Sequence, residues 1–165
     1  MTGLVTDYGR LLRTLADADV EFIVVGGVAA TAHGSVRFTQ DVDIVYGRSK
    51  ENIDRLVAAL KPLKPYLRGA PPGLPFDWST ATIRAGLNFT LVTSAGWLDL
   101  LGEITGGGPY EDVFPHATLR DLFGRPIRVL DLDWLIRVKR AAGRPKDLDA
   151  LAELEALRED TPLGD

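Results

Sequence analysis

The sequence predicts an α+β fold, in which helices flank a mixed β-sheet and a C-terminal pair of helices closes a cleft. Two observations predict this class. Short apolar runs alternate with amphipathic helical patterns from about residue 20 to residue 130. Residues 131–157 are then helical apart from a Gly-Arg-Pro break. We expect residues 1–165 to form one domain, with the sheet core at about 20–130 and the C-terminal helices at 131–157.

The composition limits the functional classes. The chain has no cysteine, which excludes disulfides, thiolate zinc sites and cysteine nucleophiles. Its two histidines, His33 and His116, are too few for a histidine-rich metal site. The sequence contains no run of about 18 apolar residues and no signal-peptide pattern. We therefore expect a soluble, cytoplasmic protein without membrane contact.

The charges are unevenly distributed. The net charge of −4 argues against a general nucleic-acid coat protein. Basic side chains concentrate in residues 125–146 and acidic ones in residues 147–165. This pattern is consistent with a phosphate-bearing ligand at one confined site, and equally with two solvated helix faces of opposite sign.

The spacing of apolar residues predicts each element in turn. The predicted helices cover residues 4–18, 28–32, 49–61, 110–113 and 131–142, and a last helix begins at Pro145. The predicted strands cover residues 21–25, 41–46, 88–93, 97–104, 118–123 and 126–130. Ser49 is a good N-cap for the third helix. The proline-rich residues 68–77 form a loop of a length often found in lids.

The second predicted strand carries two aspartates on one face. Because strand side chains alternate, Asp41 and Asp43 project to one side, and Val42, Ile44 and Tyr46 face the core. Two carboxylates about 7 Å apart repel one another unless a cation lies between them. Hard divalent ions, Mg²⁺ or Mn²⁺, suit such a pair. The alternative is a solvent-facing pair on an edge strand.

A third acid, Asp99, interrupts an otherwise apolar predicted strand. A buried, unpaired carboxylate costs several kcal/mol. We therefore expect Asp99 to face a cleft, a partner or a metal. The alternative is a structural acid with its own hydrogen bonds.

Gly26 and Gly27 end the first predicted strand and begin a short helix. Backbone N–H groups at a helix N-terminus can receive a phosphate, and glycine permits its close approach. The pattern is neither G-x-G-x-x-G nor G-x-x-x-x-G-K-[ST]. A dinucleotide fingerprint and a P-loop are therefore both disfavoured.

Lys139 falls within the apolar arc of the helix predicted at 131–142. Its ammonium either follows the packed face out to solvent or points into an internal cleft, and we favour the cleft. Arg144 and Lys146 lie at the start of the last helix, where the helix dipole disfavours cations unless an anion is bound. They would equally suit the C-terminus of the preceding helix.

Three runs together resemble one known family. GGVAATAHGSVRFTQDVDI is similar to the signature of the DNA polymerase β-like nucleotidyltransferase superfamily, in which a glycine turn precedes an Asp-x-Asp strand. WLDLLGEI resembles the strand that carries the third acid of that superfamily. DLDWLIRVKRAAGRPKDLDAL is similar to the helical end of its small bacterial members, particularly the AbiEii/MenT-like nucleotidyltransferases of toxin–antitoxin systems.

The resemblance implies a nucleotidyltransferase fold and a set of site residues. Asp41, Asp43 and Asp99 would be the metal ligands and catalytic acids, with Mg²⁺ or Mn²⁺ as cofactor and a nucleoside triphosphate (NTP) as substrate. By the same resemblance, the triphosphate would contact Gly26, Gly27, Arg37, Thr39 and the catalytic Lys139, with Arg144, Lys146 and Asp147 as weaker candidates. Many members have Gly-Ser where this chain has Gly26-Gly27, and Thr39 and Ser35 are the candidates to replace the missing hydroxyl.

The resemblance also implies a function. We expect the toxin of a toxin–antitoxin system, which transfers a nucleoside monophosphate, preferably a pyrimidine, to the 3′ end of tRNA and blocks translation. A cognate antitoxin protein would then be a partner. One alternative is an antitoxin that transfers AMP to a partner toxin protein. The other is a non-catalytic module that binds a nucleotide or a partner.

Overall fold

The structure is a computed structural model, and it describes residues 5–160. This range contains seven α-helices: α1 (Tyr8–Asp17), α2 (Gly26–Ala32), α3 (Lys50–Leu60), α4 (Thr80–Ala85), α5 (Tyr110–Val113), α6 (Leu132–Ala142) and α7 (Pro145–Asp160). The same range contains nine strands: β1 (Phe22–Val25), β2 (Asp41–Tyr46), β3 (Tyr66–Leu67), β4 (Phe89–Thr93), β5 (Gly96–Leu101), β6 (Glu103–Ile104), β7 (Gly108–Pro109), β8 (Ala117–Leu122) and β9 (Arg125–Leu130).

Seven of these strands form one sheet in the order β3-β4-β5-β2-β1-β9-β8. β1 pairs antiparallel with β2 and parallel with β9, and β2 pairs parallel with β5. The short strands β6 and β7 form a separate hairpin. The predicted mixed sheet with flanking helices is therefore confirmed.

The central strand β2 separates the core from the acidic face as predicted. Val42, Ile44 and Tyr46 are fully buried, whereas Asp41 and Asp43 on the other face are half-buried. Burying three large apolar side chains of one strand fixes its register, because a shift by one residue would turn the two carboxylates into the core. The fold therefore dictates where the aspartates point.

Helix ends follow the predicted capping residues. The Ser49 hydroxyl accepts the backbone N–H of Asn52 and begins α3. Gly143 ends α6 with a left-handed φ of 64°. The chain then turns directly into α7 at Pro145, so that α6 and α7 pack against each other and α6 also contacts α2. This pair forms one wall of the cleft.

Several predicted boundaries differ from the structure. β3 and α4 were not predicted, because a two-residue strand and a six-residue helix carry too little periodicity. The strand predicted at 97–104 is broken at Gly102, after which β6 leaves the large sheet. The first helix begins at Tyr8, and Leu4 of the predicted range lies outside the described residues. Leu148 lies on the solvent side of α7 and is 58% exposed.

None of the helices within residues 5–160 is long and apolar enough to cross a membrane.

Candidate active site

The predicted acids meet at one point on the sheet face. β2 and β5 pair in parallel with Asp41 opposite Trp97 and Asp43 opposite Asp99. Side chains that are opposite one another in a ladder lie on the same face, so Asp99 joins the two aspartates of β2. One carboxylate oxygen of each of the three residues lies within 4.8 Å of the other two. We call these three residues the acid triad.

Burial and mutual repulsion perturb the protonation of the acid triad. Burial, together with the charges of Asp41 and Asp99, raises the pKa of Asp43 to about 9. Burial and Asp41 also raise the pKa of Asp99, although the Arg68 guanidinium opposes this shift. Burial alone would raise the pKa of Asp41 too, but hydrogen bonds with Asp99 and Asp43 hold it below its ordinary value. Asp43 therefore keeps its proton at neutral pH unless a cation neutralises the triad.

The acid triad fits a hard divalent cation. Oδ1 of Asp43 is buried and has no hydrogen-bond partner within residues 5–160. A buried carboxylate oxygen without a partner is rare in a folded protein. Three clustered carboxylates supply the oxygen ligands that Mg²⁺ and Mn²⁺ prefer. A cation held by the triad would satisfy this oxygen and relieve the repulsion.

The Gly-Gly turn packs directly against the acid triad. Gly26 has φ 65°, and a Cβ on it would lie 2.9 Å from Cγ of Asp43. A Cβ on Gly27 would lie 2.5 Å from Oγ1 of Thr39. Val25 caps α2 without a side-chain hydrogen bond, which leaves the first N–H groups of α2 without a side-chain acceptor. Because a Cβ at either position would collide with Asp43 or Thr39, glycine at both positions lets α2 begin beside the carboxylates.

The loop between α2 and β2 is fixed at both ends. The Tyr8 hydroxyl donates to the backbone oxygen of Thr39, and the Thr39 hydroxyl donates to the backbone oxygen of Asp41 at 3.2 Å. At the other end, the Ser35 hydroxyl donates to Glu153 of α7 at 2.6 Å. The Ser35 hydroxyl is therefore engaged by α7, whereas Thr39 lies against Gly27 at the start of α2.

Cations from α6 and α7 face the acid triad across the cleft. The Lys139 ammonium lies 3.3 Å from Oδ1 of Asp147, and Nε of Arg144 lies 2.6 Å from its Oδ2. Asp147 itself is fully buried. Its hydrogen bond with Arg144, supported by Lys139, lowers its pKa to about 2. The structure thus places Asp147 as a fixed anion that orients the two cations.

The triad and the cations line one cavity of about 340 Å³. This cavity contains nearly all of the predicted site residues: Gly27, Arg37, Thr39, Asp41, Asp43, Asp99, Lys139, Arg144, Lys146 and Asp147. Gly26 instead lines a neighbouring cavity of about 380 Å³, which shares Asp43, Lys139 and Arg144 with the first. The second cavity lies between the sheet and α6, and apolar side chains such as Leu135 and Val138 line it together with polar ones.

Comparisons with known proteins agree with this geometry at the level of the fold. No family model matches the sequence, and no curated protein matches it significantly. Solved structures do match. A Thermotoga maritima protein assigned as a nucleotidyltransferase superposes with a TM-score of 0.53 at 17% identity, covering 93% of this chain and 91% of that one.

Two antibiotic-modifying enzymes also match. The lincosamide adenylyltransferase LnuA, solved with lincomycin bound, gives a TM-score of 0.61 at 14% identity and covers 94% of this chain and 99% of its own. ANT(2″)-Ia, solved with adenylyl-2″-tobramycin, gives a TM-score of 0.53 at 16% identity, and the match covers 92% of this chain and 92% of that one. This chain has the nucleotidyltransferase fold. The closer resemblance to AbiEii/MenT-like proteins stays a prediction.

Arg68 belongs to this nucleotidyltransferase-fold site, although no pattern in the sequence predicted it. Arg68 lies just after β3, and its Nη2 donates to Oδ1 of Asp99 at 2.7 Å. Its guanidinium lies over the ring of Trp97, 4.4 Å from the ring centroid. No motif surrounds Arg68 in the sequence, and it reaches Asp99 only because β3 and β4 lie beside β5. The pairing of strands, rather than any local pattern, would have been needed to find it.

Proposed function

We propose that the protein is a metal-dependent nucleotidyltransferase that transfers a nucleoside monophosphate from an NTP to a hydroxyl group. The observation that carries this proposal is the acid triad, whose oxygens lie within 4.8 Å of one another beside cations on α6 and α7. Opposite charges facing one another across a cavity of about 340 Å³ suit a ligand that bridges them. A triphosphate with its metal ion is such a ligand.

The chain supplies separate groups for the two ends of the triphosphate. Lys139 and Arg144 would hold the β- and γ-phosphates, which leave as pyrophosphate, and the amides beside Gly27 would contact the same group. A bound Mg²⁺ or Mn²⁺ would offset the negative charge on the α-phosphate and acidify the acceptor hydroxyl. In the reaction the acceptor oxygen bonds to the α-phosphorus, the bond from that phosphorus to the bridging oxygen breaks, and the hydroxyl proton passes to water.

For the acceptor we propose the 3′-terminal hydroxyl of tRNA, in a toxin that a cognate antitoxin restrains. The residues at the exposed edge of the cavity support this acceptor. Phe38 lines the cavity with 86% of its surface exposed, beside Arg37 and Lys146. An exposed aromatic ring among cations is the arrangement that binds unpaired bases of single-stranded nucleic acid by stacking. The preference for pyrimidine NTPs follows from the family resemblance alone.

A second candidate acceptor is a small molecule that carries a hydroxyl group. LnuA and ANT(2″)-Ia have bound antibiotics or adenylylated antibiotics, and this chain covers 99% and 92% of those two chains. A chain of this length is therefore sufficient for an acceptor of that size. The second cavity, about 380 Å³ in volume and lined by Asp43 of the acid triad as well as by apolar side chains, could receive it.

One assay decides between these candidates. The purified protein is incubated with each α-³²P-labelled NTP and Mg²⁺ or Mn²⁺, and with total tRNA, lincomycin, tobramycin or a partner-protein extract. We expect label on tRNA, and none on tRNA whose 3′-terminal diol has been oxidised with periodate. Asp41→Asn serves as the inactive control. Label on small molecules or protein alone overturns the tRNA proposal, and no transfer to any acceptor with either metal overturns the enzymatic one.

A further inference from the structure

Arg68, just after β3, forms one row across the sheet with three residues of neighbouring strands. Arg68 donates its backbone N–H to Thr90 of β4 at 3.0 Å, Thr90 is opposite Asp99 of β5, and Asp99 is opposite Asp43 of β2. Residues in such a row share a face of the sheet. The Arg68 side chain can therefore reach across the small Thr90 to the acid triad from the sheet edge.

The Arg68 side chain is held at more than one point. Nη2 donates both to the backbone oxygen of Leu91 at 2.8 Å and to Oδ1 of Asp99 at 2.7 Å, while the guanidinium lies over Trp97. The Arg68 and Asp99 side chains are only 18% and 20% exposed. An ion pair this sheltered is weakly screened, and the position of the cation is fixed by the sheet.

We infer that Arg68 is the internal counter-ion of the acid triad and the positioning residue of Asp99. It offsets part of the triad's charge when no metal ion is present, and it holds one oxygen of Asp99 so that the other stays turned towards Asp41 and Asp43. It also opposes a metal ion electrostatically, because the two cations share one carboxylate. The metal part of this inference rests on the acid triad of the proposed function.

Two opposing effects decide what removal of Arg68 does to metal affinity. Loss of a sheltered positive charge beside the site strengthens the attraction for a divalent ion, because charges at such short range interact strongly. Freeing the Asp99 side chain weakens binding only by the rotamer entropy of one short side chain. The charge effect is larger, so metal binding should tighten. Turnover should nevertheless fall, because Asp99 is no longer held in a reactive orientation.

The test measures Mn²⁺ affinity by electron paramagnetic resonance without nucleotide, together with kcat and KM in the transfer assay. The variants are Arg68→Ala, Arg68→Lys and the double variant Arg68→Ala/Asp99→Asn. Arg48→Ala is the matched control. Arg48 also bonds a backbone oxygen, that of Ile83 at 3.3 Å, and lies over an aromatic ring, that of Tyr46, but it contacts no carboxylate within the described part of the chain.

We expect Arg68→Ala to bind Mn²⁺ about three- to tenfold more tightly than the wild type and to lose about tenfold or more in kcat with KM for the NTP little changed. Arg68→Lys should bind Mn²⁺ as the wild type does but turn over more slowly, since it keeps the charge and loses the two-point hold. In the Asp99→Asn background, removing Arg68 should tighten binding much less.

Unchanged or weaker Mn²⁺ binding in a folded Arg68→Ala protein overturns the inference, as does an equal change in Arg48→Ala. If Arg68→Ala fails to fold by circular dichroism, Arg68→Lys still decides, since wild-type turnover in that variant contradicts a positioning role. The metal titration is independent of the acceptor. A protein that binds Mn²⁺ as expected but transfers no nucleotide would leave Arg68 as the counter-ion and overturn only the enzymatic proposal.

Discussion

Asp43 and Asp99 lie directly opposite one another in the parallel ladder of β2 and β5. Their carboxylates point to the same face, together with Asp41, and burial with this repulsion raises the pKa of Asp43 to about 9. The fold thus holds close together three groups that repel one another when ionised. Such an arrangement costs stability in the metal-free protein and is relieved when a cation binds.

The pH dependence of stability should reveal this cost. The unfolded chain releases the Asp43 proton near the ordinary value of 3.8, whereas the folded chain keeps it up to about 9. The unfolded state therefore binds fewer protons between these values, and the free energy of unfolding falls as the pH rises through this window. Asp43→Asn should make the fall shallower, because only the smaller contribution of Asp99 remains. Thermal unfolding in EDTA from pH 4 to pH 8 measures both proteins, and identical slopes would contradict the raised pKa.

The same experiment with Mg²⁺ tests the cation. In the wild type, Mg²⁺ should raise the midpoint of unfolding most at the alkaline end of the window, where ionised Asp43 is available as a ligand. Asp41→Asn and Asp43→Asn should show little response to Mg²⁺ at any pH. A response in these variants equal to that of the wild type would place the cation elsewhere.

The glycine turn can be tested with a matched pair. Gly26→Ala adds a methyl group at φ 65°, 2.9 Å from Cγ of Asp43, whereas Gly124→Ala adds one at φ 81° with no atom within 4 Å. Both should lose about 1–2 kcal/mol through backbone strain. Only Gly26→Ala should also displace the Asp43 carboxylate. We expect weaker Mn²⁺ binding and at least about tenfold slower transfer in Gly26→Ala alone.

Equal Mn²⁺ affinity in these two glycine variants would show that the contact between the turn and Asp43 is irrelevant to the metal site. The two measurements separate backbone strain from displacement of the Asp43 carboxylate. Chemical denaturation reports the loss of stability from both effects together, whereas the metal titration reports only the displacement.

Local patterns in the sequence grouped two of the three members of the acid triad. The shared face of Asp41 and Asp43 follows from alternation within one strand, whatever that strand pairs with. The apolar neighbours of Asp99 predicted a strand, but its position beside Asp43 depends on parallel pairing of β2 with β5. That pairing involves residues more than fifty positions apart, and only the family resemblance suggested it.

Arg68 and Asp147 show what a single sequence does not reveal. Arg68 reaches Asp99 across 31 positions through β3, a strand of only two residues. Asp147 was expected beside the nucleotide, which stays a prediction; it lines the cavity, and its carboxylate is buried where α6 meets α7 and bonds Lys139 and Arg144. Helical periodicity identifies the face that packs but not the partner that covers it. The positions of the Arg68 and Asp147 side chains both depend on contacts between secondary-structure elements.

Lys139 should contribute to NTP binding more than to stability. Lys139→Met keeps the apolar stem and removes the charge, so the KM for NTP should rise about 10- to 100-fold through loss of a charged hydrogen bond. Arg140→Met is the control, because Arg140 is the next residue on α6 and pairs with Glu155 on the exposed side. It should leave KM unchanged. A similar rise in both variants would indicate a general charge effect on NTP approach.

Asp147 should stabilise the α6–α7 pair. Its side chain is 0% exposed and accepts hydrogen bonds from Arg144 and Lys139, so Asp147→Asn leaves these cations without their buried counter-charge. We expect a loss of about 3 kcal/mol in the free energy of unfolding, against less than about 1 kcal/mol for Glu155→Gln, which breaks an exposed pair on the same two helices. Urea denaturation at neutral pH measures both losses.

Acid titration gives an independent check on Asp147. Its pKa is lowered to about 2 in the folded protein, so its contribution is fully present above the ordinary value of 3.8 and is lost as the pH falls towards 2. The wild type should therefore lose more stability than Asp147→Asn between pH 4 and pH 2, and the two curves should converge at the acid end. Parallel stability curves over this range would mean that the Asp147 carboxylate is not ionised beside Arg144 and Lys139. Another interaction would then have to stabilise the packing of α7 against α6.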